Sequence, residues 1–503
     1  MKRLILFPFF LLTSFTFYCN LVNPQVQKNN DLVLLLGAYA LAGSNCVNGP
    51  DLWARDLTTQ TSVCVGVDLV SSGTYVEVYK ERSLSVNYDL LKFARDFDTI
   101  TYPTLINTFG TPSDVDGDGK VKILVMDIKD GATANSAYVA GYFDPINYFP
   151  DNLFSRVRSN YAEVLYMDGK ELIVALNHDP NAFASTAAHE FQHLLRYPRM
   201  RAANQTDELW INEGTSEVAS DIAGYGPQTS RLDCYSGVND SRCLDGINGV
   251  SLLDWDSSNS DILKQYSFAY VFMRYLYDIS GTNDPQRQSF FRETVIGGSG
   301  TRANSTGNLM SIFRNTTFAP NFDATLLGNQ NSDVFFRIFT LLTAQSFQLS
   351  DLSSVQQVTS DGAAPTNINL STALARYPLS TSLNRITTNP VAPTSFRSSI
   401  KQGSANFYTS AWGTPSIPAN SRKNYGRVVA ANTKGVFFWA DSPSGLSASV
   451  KYVQTNEEGT SLTIPKKPRS LKSVIESSSG PIPICGIEFT DDLVRTSESI
   501  PIE

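Results

Sequence analysis

The chain has 503 residues, more than one hydrophobic core usually holds, so two or three domains are expected. Its composition, 42% hydrophobic and 17% charged, is that of a folded globular protein and excludes a disordered one. A net charge of −8 and the lack of any dense Lys/Arg run argue against a nucleic-acid partner.

The N-terminus reads as an export signal over residues 1–19. Lys2 and Arg3 precede an apolar run from Leu4 to Phe17, too short to span a bilayer comfortably. No other segment reaches the roughly 18 apolar residues of a membrane helix, so no transmembrane segment is expected. Cys19 sits where a lipoprotein signal would place its acylated cysteine, although Tyr18 is bulky for such a cleavage site. A lipid anchor at Cys19 and a plain cleaved signal are both open, and the expected location is secreted or cell-surface, an outer-membrane lipoprotein among the alternatives. In an oxidising compartment Cys46–Cys64 and Cys234–Cys243 are natural short-loop disulfides, leaving Cys485 unpaired.

An N-terminal β-rich segment is expected over 20–70, with β-like runs at Asp31–Leu36 and Ser62–Val67. Thr74–Tyr79 alternates as a strand, and Tyr88–Thr108 reads as a helix that Pro103 must break or kink. Asp114, Asp116 and Asp118 with Gly119 are spaced like the first half of a calcium loop, but Val125 stands where an EF-hand needs its glutamate. The alternative is an Asp/Gly-rich turn feeding the strand Lys120–Ile128. Ala162–Met167 is a further short strand.

Asp179-Pro180 is expected to open, and Pro198 to close, a helix carrying His189-Glu-Phe-Gln-His193. Residues i and i+4 share a helix face, so two imidazoles can bind one zinc ion with Glu190 beside it as general base. Such a motif also occurs by chance, but a His-Glu pair inside an alanine-rich, apolar helix needs a reason. Arg196 and Arg199 stand where a metzincin would have Gly and then His or Asp, which excludes that class.

Fourteen residues after His193 begins Asp207-Glu-Leu-Trp-Ile-Asn-Glu-Gly-Thr-Ser-Glu217. It resembles the gluzincin third-ligand motif, Trp-Leu-Asn-Glu-Gly in the aminopeptidase branch and Asn-Glu-x-x-Ser-Asp in the thermolysin branch. By that resemblance Glu213 is the third zinc ligand and Glu217, one turn on, orients a ligating histidine. His178 is set aside as an oxyanion donor. The segment Gln265–Leu276 looks like the gluzincin helix that presents a tyrosine to the tetrahedral intermediate, with Tyr266 as donor and Tyr270 a weaker alternative. The bland reading is a packed stripe of Tyr266, Tyr270, Met273 and Tyr277.

Several segments together, Tyr102–Gly110, Pro112–Ile128, Val139–Phe143, Ala188–Leu194, Trp210–Ser216 and the Tyr266 helix, resemble the hyicolysin family of secreted bacterial zinc metallopeptidases. The resemblance covers roughly 76–277 and implies a gluzincin-like zinc endopeptidase acting on proteins or peptides. The expected architecture is α+β: a zincin domain over 71–345, with a mixed sheet and the HExxH helix. A β-sandwich-like domain over 350–503 follows, inferred from runs such as Arg427–Ala431, Gly435–Ala440 and Ser447–Val453.

The expected activity is peptide-bond hydrolysis through a zinc-bound water, with Glu190 as base and calcium at Asp114, Asp116 and Asp118 as an additional cofactor. An aminopeptidase ranks lower because no Gly-x-Met-Glu-Asn-type amine-binding segment lies upstream. A non-enzymatic surface adhesin with a vestigial zincin domain is the reading from a different class.

Overall fold

In a computed structural model of the chain, the described residues are 45–132, 137–153, 155–255, 261–298, 300–315, 322–349, 351–358, 366–387 and 403–409, with strand segments 425–429, 434–439, 454–455, 461–462 and 482–484. The expected signal, Cys19, the strands at 31–36 and 447–453, and Cys485 lie outside them. Among the described residues no helix is long and apolar enough to cross a membrane.

A hairpin of β1 (Leu52–Asp56) and β2 (Thr61–Val65) leads into β3 (Val67–Ser72) and β4 (Val76–Glu81). With β5 (Val121–Met126), β7 (Gly141–Phe143) and β8 (Val164–Asp168) these last two form a five-stranded mixed sheet in the order β3-β4-β5-β8-β7. The β4–β5 and β5–β8 pairs are parallel, and β3 and β7 close the edges antiparallel. A short β6 (Ala137–Val139) precedes β7.

Side-chain alternation divides the sheet between two cores. Val76, Val78, Ile123, Val125, Leu165 and Met167 face the helices, while Leu124, Met126, Val164 and Tyr166 face the β1–β2 hairpin. The boundary expected at residue 70 therefore falls inside a sheet strand, and the hairpin belongs to the same folded unit. Its Arg55 reaches across to Asp144 at 2.8 Å, both buried. Both expected disulfides are present, Cys46–Cys64 and Cys234–Cys243.

The segment expected as one helix over 88–108 is α1 (Leu90–Asp96), a π-helical turn (Phe97–Thr101) and α2 (Tyr102–Phe109). Pro103 therefore sits in the first turn of α2, where its missing N–H costs nothing, and the wide turn before it takes up the disruption. A short α3 (Glu171–Ala175) follows β8.

The HExxH helix, α4, runs Ala182–Ala202. It starts later than expected, after a turn in which Asp179 Oδ1 accepts the Asn181 N–H at 2.9 Å. It also runs through Pro198 instead of ending there. Pro198 cannot supply the N–H that the Leu194 carbonyl needs, and the Tyr148 hydroxyl donates to that carbonyl instead, at 2.9 Å.

The helical region follows as expected: α5 (Leu209–Ile222), α6 (Thr229–Ser236), α7 (Ile262–Ile279), α8 (Asp284–Ile296), α9 (Thr306–Asn315) and α10 (Asn331–Ser346). Beyond it, β9 (Val355–Val358), β10 (Thr366–Ile368), α11 (Ser371–Arg376), β11 (Ser404–Thr409), β12 (Tyr425–Val429) and β13 (Lys434–Trp439) are described. Where a sandwich was expected, they supply one five-stranded antiparallel sheet, β10-β9-β12-β13-β11.

Candidate metal centre

Two helices build the centre. The face of α4 that carries His189 and His193 packs on α5, which brings Glu213, and α7 also packs against α5, at Gly214. The loop between α4 and α5 is fixed by buried charge. Asp207 accepts from Arg196 at 2.5 Å and from Arg302 at 3.0 Å, and Arg196 also donates to the Ala303 carbonyl. The arginine that ruled out a metzincin thus anchors the approach to the glutamate helix. Trp210, fully buried, donates from its indole N–H to Glu208 at 2.9 Å.

His189 Nε2 is 3.0 Å from His193 Nε2 and 3.2 Å from Glu213 Oε2, and His193 Nε2 is 3.6 Å from the same oxygen. Ligands held ~2.0–2.1 Å from a tetrahedral zinc ion lie about 3.3 Å apart, so the three donor atoms stand at the separations one such ion requires. All three residues are at least nine-tenths buried. Two neutral imidazoles and one carboxylate are a zinc donor set that leaves a fourth position open.

The other ring nitrogens face outward from this cluster. His193 Nδ1 is 3.3 Å from both Asn212 Oδ1 and Ser216 Oγ. The amide oxygen can only accept, so a proton on Nδ1 leaves the Nε2 lone pair for the metal. His189 Nδ1 is 3.9 Å from Glu217 Oε1, and Arg231 donates to that oxygen at 2.6 Å. Burial pushes the Glu217 carboxyl up, but Arg231, through its charge and its hydrogen bond, leads the interactions that outweigh it and hold the group below its ordinary range. Arg231 has no counterpart in the sequence reading, because it lies on α6 outside any motif. Only the burial of Glu217, which the structure supplies, shows that a cation must come from somewhere.

Glu190 is fully buried beside the edge strand: a Cβ on Gly141 would stand 3.2 Å from Glu190 Cγ and 2.9 Å from Thr186 Cγ2. The two tyrosines separate clearly. Tyr270 donates to Asp221 at 2.8 Å and accepts the Gln228 N–H at 3.0 Å, a buried structural role. Tyr266 has the Arg231 guanidinium 4.9 Å over its ring and Trp255 edge-on at 5.0 Å, which places it beside the Glu217–Arg231 pair. A cavity of about 310 Å³ opens from His189, walled by Tyr138, Ala175, His178, Thr186, Arg242 and Leu263. His178, set aside from the sequence, is thus on the wall of this cavity.

Asp114, Asp116 and Asp118 also converge, at an exposed turn away from these helices. Lys122 donates to Asp116 at 2.6 Å and to Asp118 at 2.5 Å, while Asp114 accepts the Gly119 N–H at 2.8 Å.

The mixed sheet, the helix with two histidines and the neighbouring helix with a buried glutamate are consistent with a metalloprotease domain. The chain is similar to the neutral metalloprotease ShpI of Staphylococcus hyicus, 34% identical over 250 residues, which is 49% of this chain and 55% of that protein. It therefore spans about half the length of the curated relative it matches, and the likeness supports a metalloprotease family. No family model matches the chain.

Proposed function

We propose that the protein is an exported zinc endopeptidase that hydrolyses peptide bonds of proteins, with His189, His193 and Glu213 as zinc ligands. The observation that carries this reading is the spacing of the three donor atoms, 3.0, 3.2 and 3.6 Å, in a buried site. When bound, zinc supplies Lewis acidity, which brings a water toward ionisation near neutral pH and polarises a peptide carbonyl.

Glu190 would take the proton of the attacking water as the water oxygen bonds to the carbonyl carbon, and would deliver it to the amine as the C–N bond breaks. Tyr266 is assigned the hydrogen bond to the developing oxyanion. Glu217 orients His189 and Asn212 orients His193, which keeps both Nε2 atoms turned to the metal. The cavity beside His189 receives a substrate side chain. Calcium at Asp114, Asp116 and Asp118 belongs to the same reading as a stabiliser of the loop, in competition with the Lys122 ammonium.

The test is cleavage of casein or gelatin by the purified chain together with metal analysis. One equivalent of zinc, loss of cleavage with phenanthroline, and a fall of about 10²–10⁴-fold in Glu190→Ala with zinc retained are expected. A Glu190→Ala protein that cleaves as well as the parent would overturn the mechanism.

A further inference from the structure

The C-terminal ends of β5 and β8 lie side by side, with Met126 paired to Asp168, and carboxylates gather just beyond them. Asp127, Asp168 and Glu171 each bring an oxygen within 4.8 Å of the others. Asp130, itself buried, feels the Glu171 charge. Two lysines answer these four carboxylates. Lys129 lies 2.9 Å from Asp127, and Lys170 lies 3.2 Å from Glu171 and 3.7 Å from Asp127; both are about half exposed.

Neither ammonium forms an ion pair with Asp168, which is 1% exposed. Its Oδ2 accepts the backbone N–H groups of Leu172 at 2.7 Å and Lys170 at 3.3 Å. Its Oδ1 is buried and meets no donor at full hydrogen-bond geometry, and one oxygen of this carboxylate belongs to the cluster. A buried carboxylate oxygen in that state costs a large part of its hydration energy unless a cation meets it.

We propose that Asp127, Asp168 and Glu171 hold calcium, a hard cation that takes carboxylate oxygens in a flexible geometry and completes its shell with water, at a site separate from the zinc centre and from the Asp114–Asp118 turn. Asp127 and Glu171 are only partly buried, which leaves coordination positions open to water. Burial, reinforced by the Glu171 charge, pushes the Asp168 carboxyl up to about 7 against the pull of the Leu172, Lys170 and Ile128 N–H groups. The Asp116–Asp118 pair, by contrast, already has the Lys122 ammonium. Glu171 and Leu172 also line the cavity that reaches His189, so the cation would brace one wall of that cavity.

The experiment is equilibrium dialysis of the zinc-loaded full chain against labelled calcium, with thermal unfolding followed in parallel. The parent is expected to bind calcium and to gain a few degrees in Tm. Asp168→Asn binds one equivalent less and loses part of that gain, while Asp116→Asn, which removes only an ion held at the Asp114–Asp118 turn, leaves the Asp168-dependent equivalent in place. Should Asp168→Asn fail to fold, Glu171→Gln at the more exposed rim is expected to weaken calcium binding at least tenfold. The proposal is overturned if the parent binds no calcium, if Asp168→Asn or Glu171→Gln binds as the parent does, or if Asp116→Asn removes the whole response.

Discussion

Glu217 touches His189 on one side and Arg231 on the other, and all three are buried. The pair is asymmetric in what its removal does. Glu217→Gln keeps an acceptor beside His189 but drops the charge, so zinc affinity is expected to fall ~10–100-fold with the fold retained. Arg231→Ala leaves a carboxylate buried without its cation, and a loss of about 3–5 kcal/mol in stability is expected besides the weaker zinc binding. Competition with a zinc chelator and urea unfolding separate the two effects; equal stability losses would show that Arg231 does not serve Glu217 as a counter-ion. That His189, His193 and Glu213 come together was legible in the sequence, because helical period and a third-ligand motif are local signals. Arg231 was not, since it reaches the site from another helix through a contact that only the tertiary fold creates.

Gly214 follows Glu213 at the contact between α5 and α7. A Cβ there would meet the Ala269 carbonyl oxygen and Met273 Cγ, each at 2.8 Å. Alanine in place of a mid-helix glycine ordinarily gains about 1 kcal/mol, but overpacking against a backbone atom costs about 1–3 kcal/mol. Backbone cannot swing aside as a side chain can, so the clash should win. Gly214→Ala is expected to lower Tm and weaken zinc binding together, because the shift of α5 carries Glu213 with it. A variant more stable than the parent would mean that the helices separate freely. The same scale shows where sequence reasoning stopped short. Local rules end α4 at Pro198, yet the Tyr148 hydroxyl, fifty residues earlier in the chain, satisfies the Leu194 carbonyl and lets the helix run on. The π-helical turn before Pro103 is a second case in which a local break is absorbed by its surroundings.

At the scale of the whole molecule, the division expected near residue 350 meets a continuous core. Val355, Leu370, Tyr377, Leu383, Ile386, Ala405 and Phe407 are buried in the same cluster as the helices of the metal centre. Phe407 packs on Phe347, the Tyr275 hydroxyl donates to the Tyr377 carbonyl at 2.7 Å, and bridges join Asn248 to Ala405 and Ser251 to Ser404. Fully burying one large apolar side chain stabilises by about 1.5–3 kcal/mol. Four of them, Leu370, Tyr377, Leu383 and Phe407, therefore approach the roughly 5–15 kcal/mol by which a domain is stable at all. A chain cut after Leu349 should lose cooperative unfolding and zinc together, whereas one cut after Trp439 keeps the described sheet and both properties. Calorimetry with metal analysis on the two truncations decides this. If the protein ending at 349 unfolds at the parent's Tm with zinc bound, the sheet is a dispensable appendage and the core closes without it. The outcome also governs how the 350–503 fragment can be used: a fragment torn from a shared core exposes Phe407 and Tyr377, and its adhesion to other proteins would report that exposed surface and not a binding function.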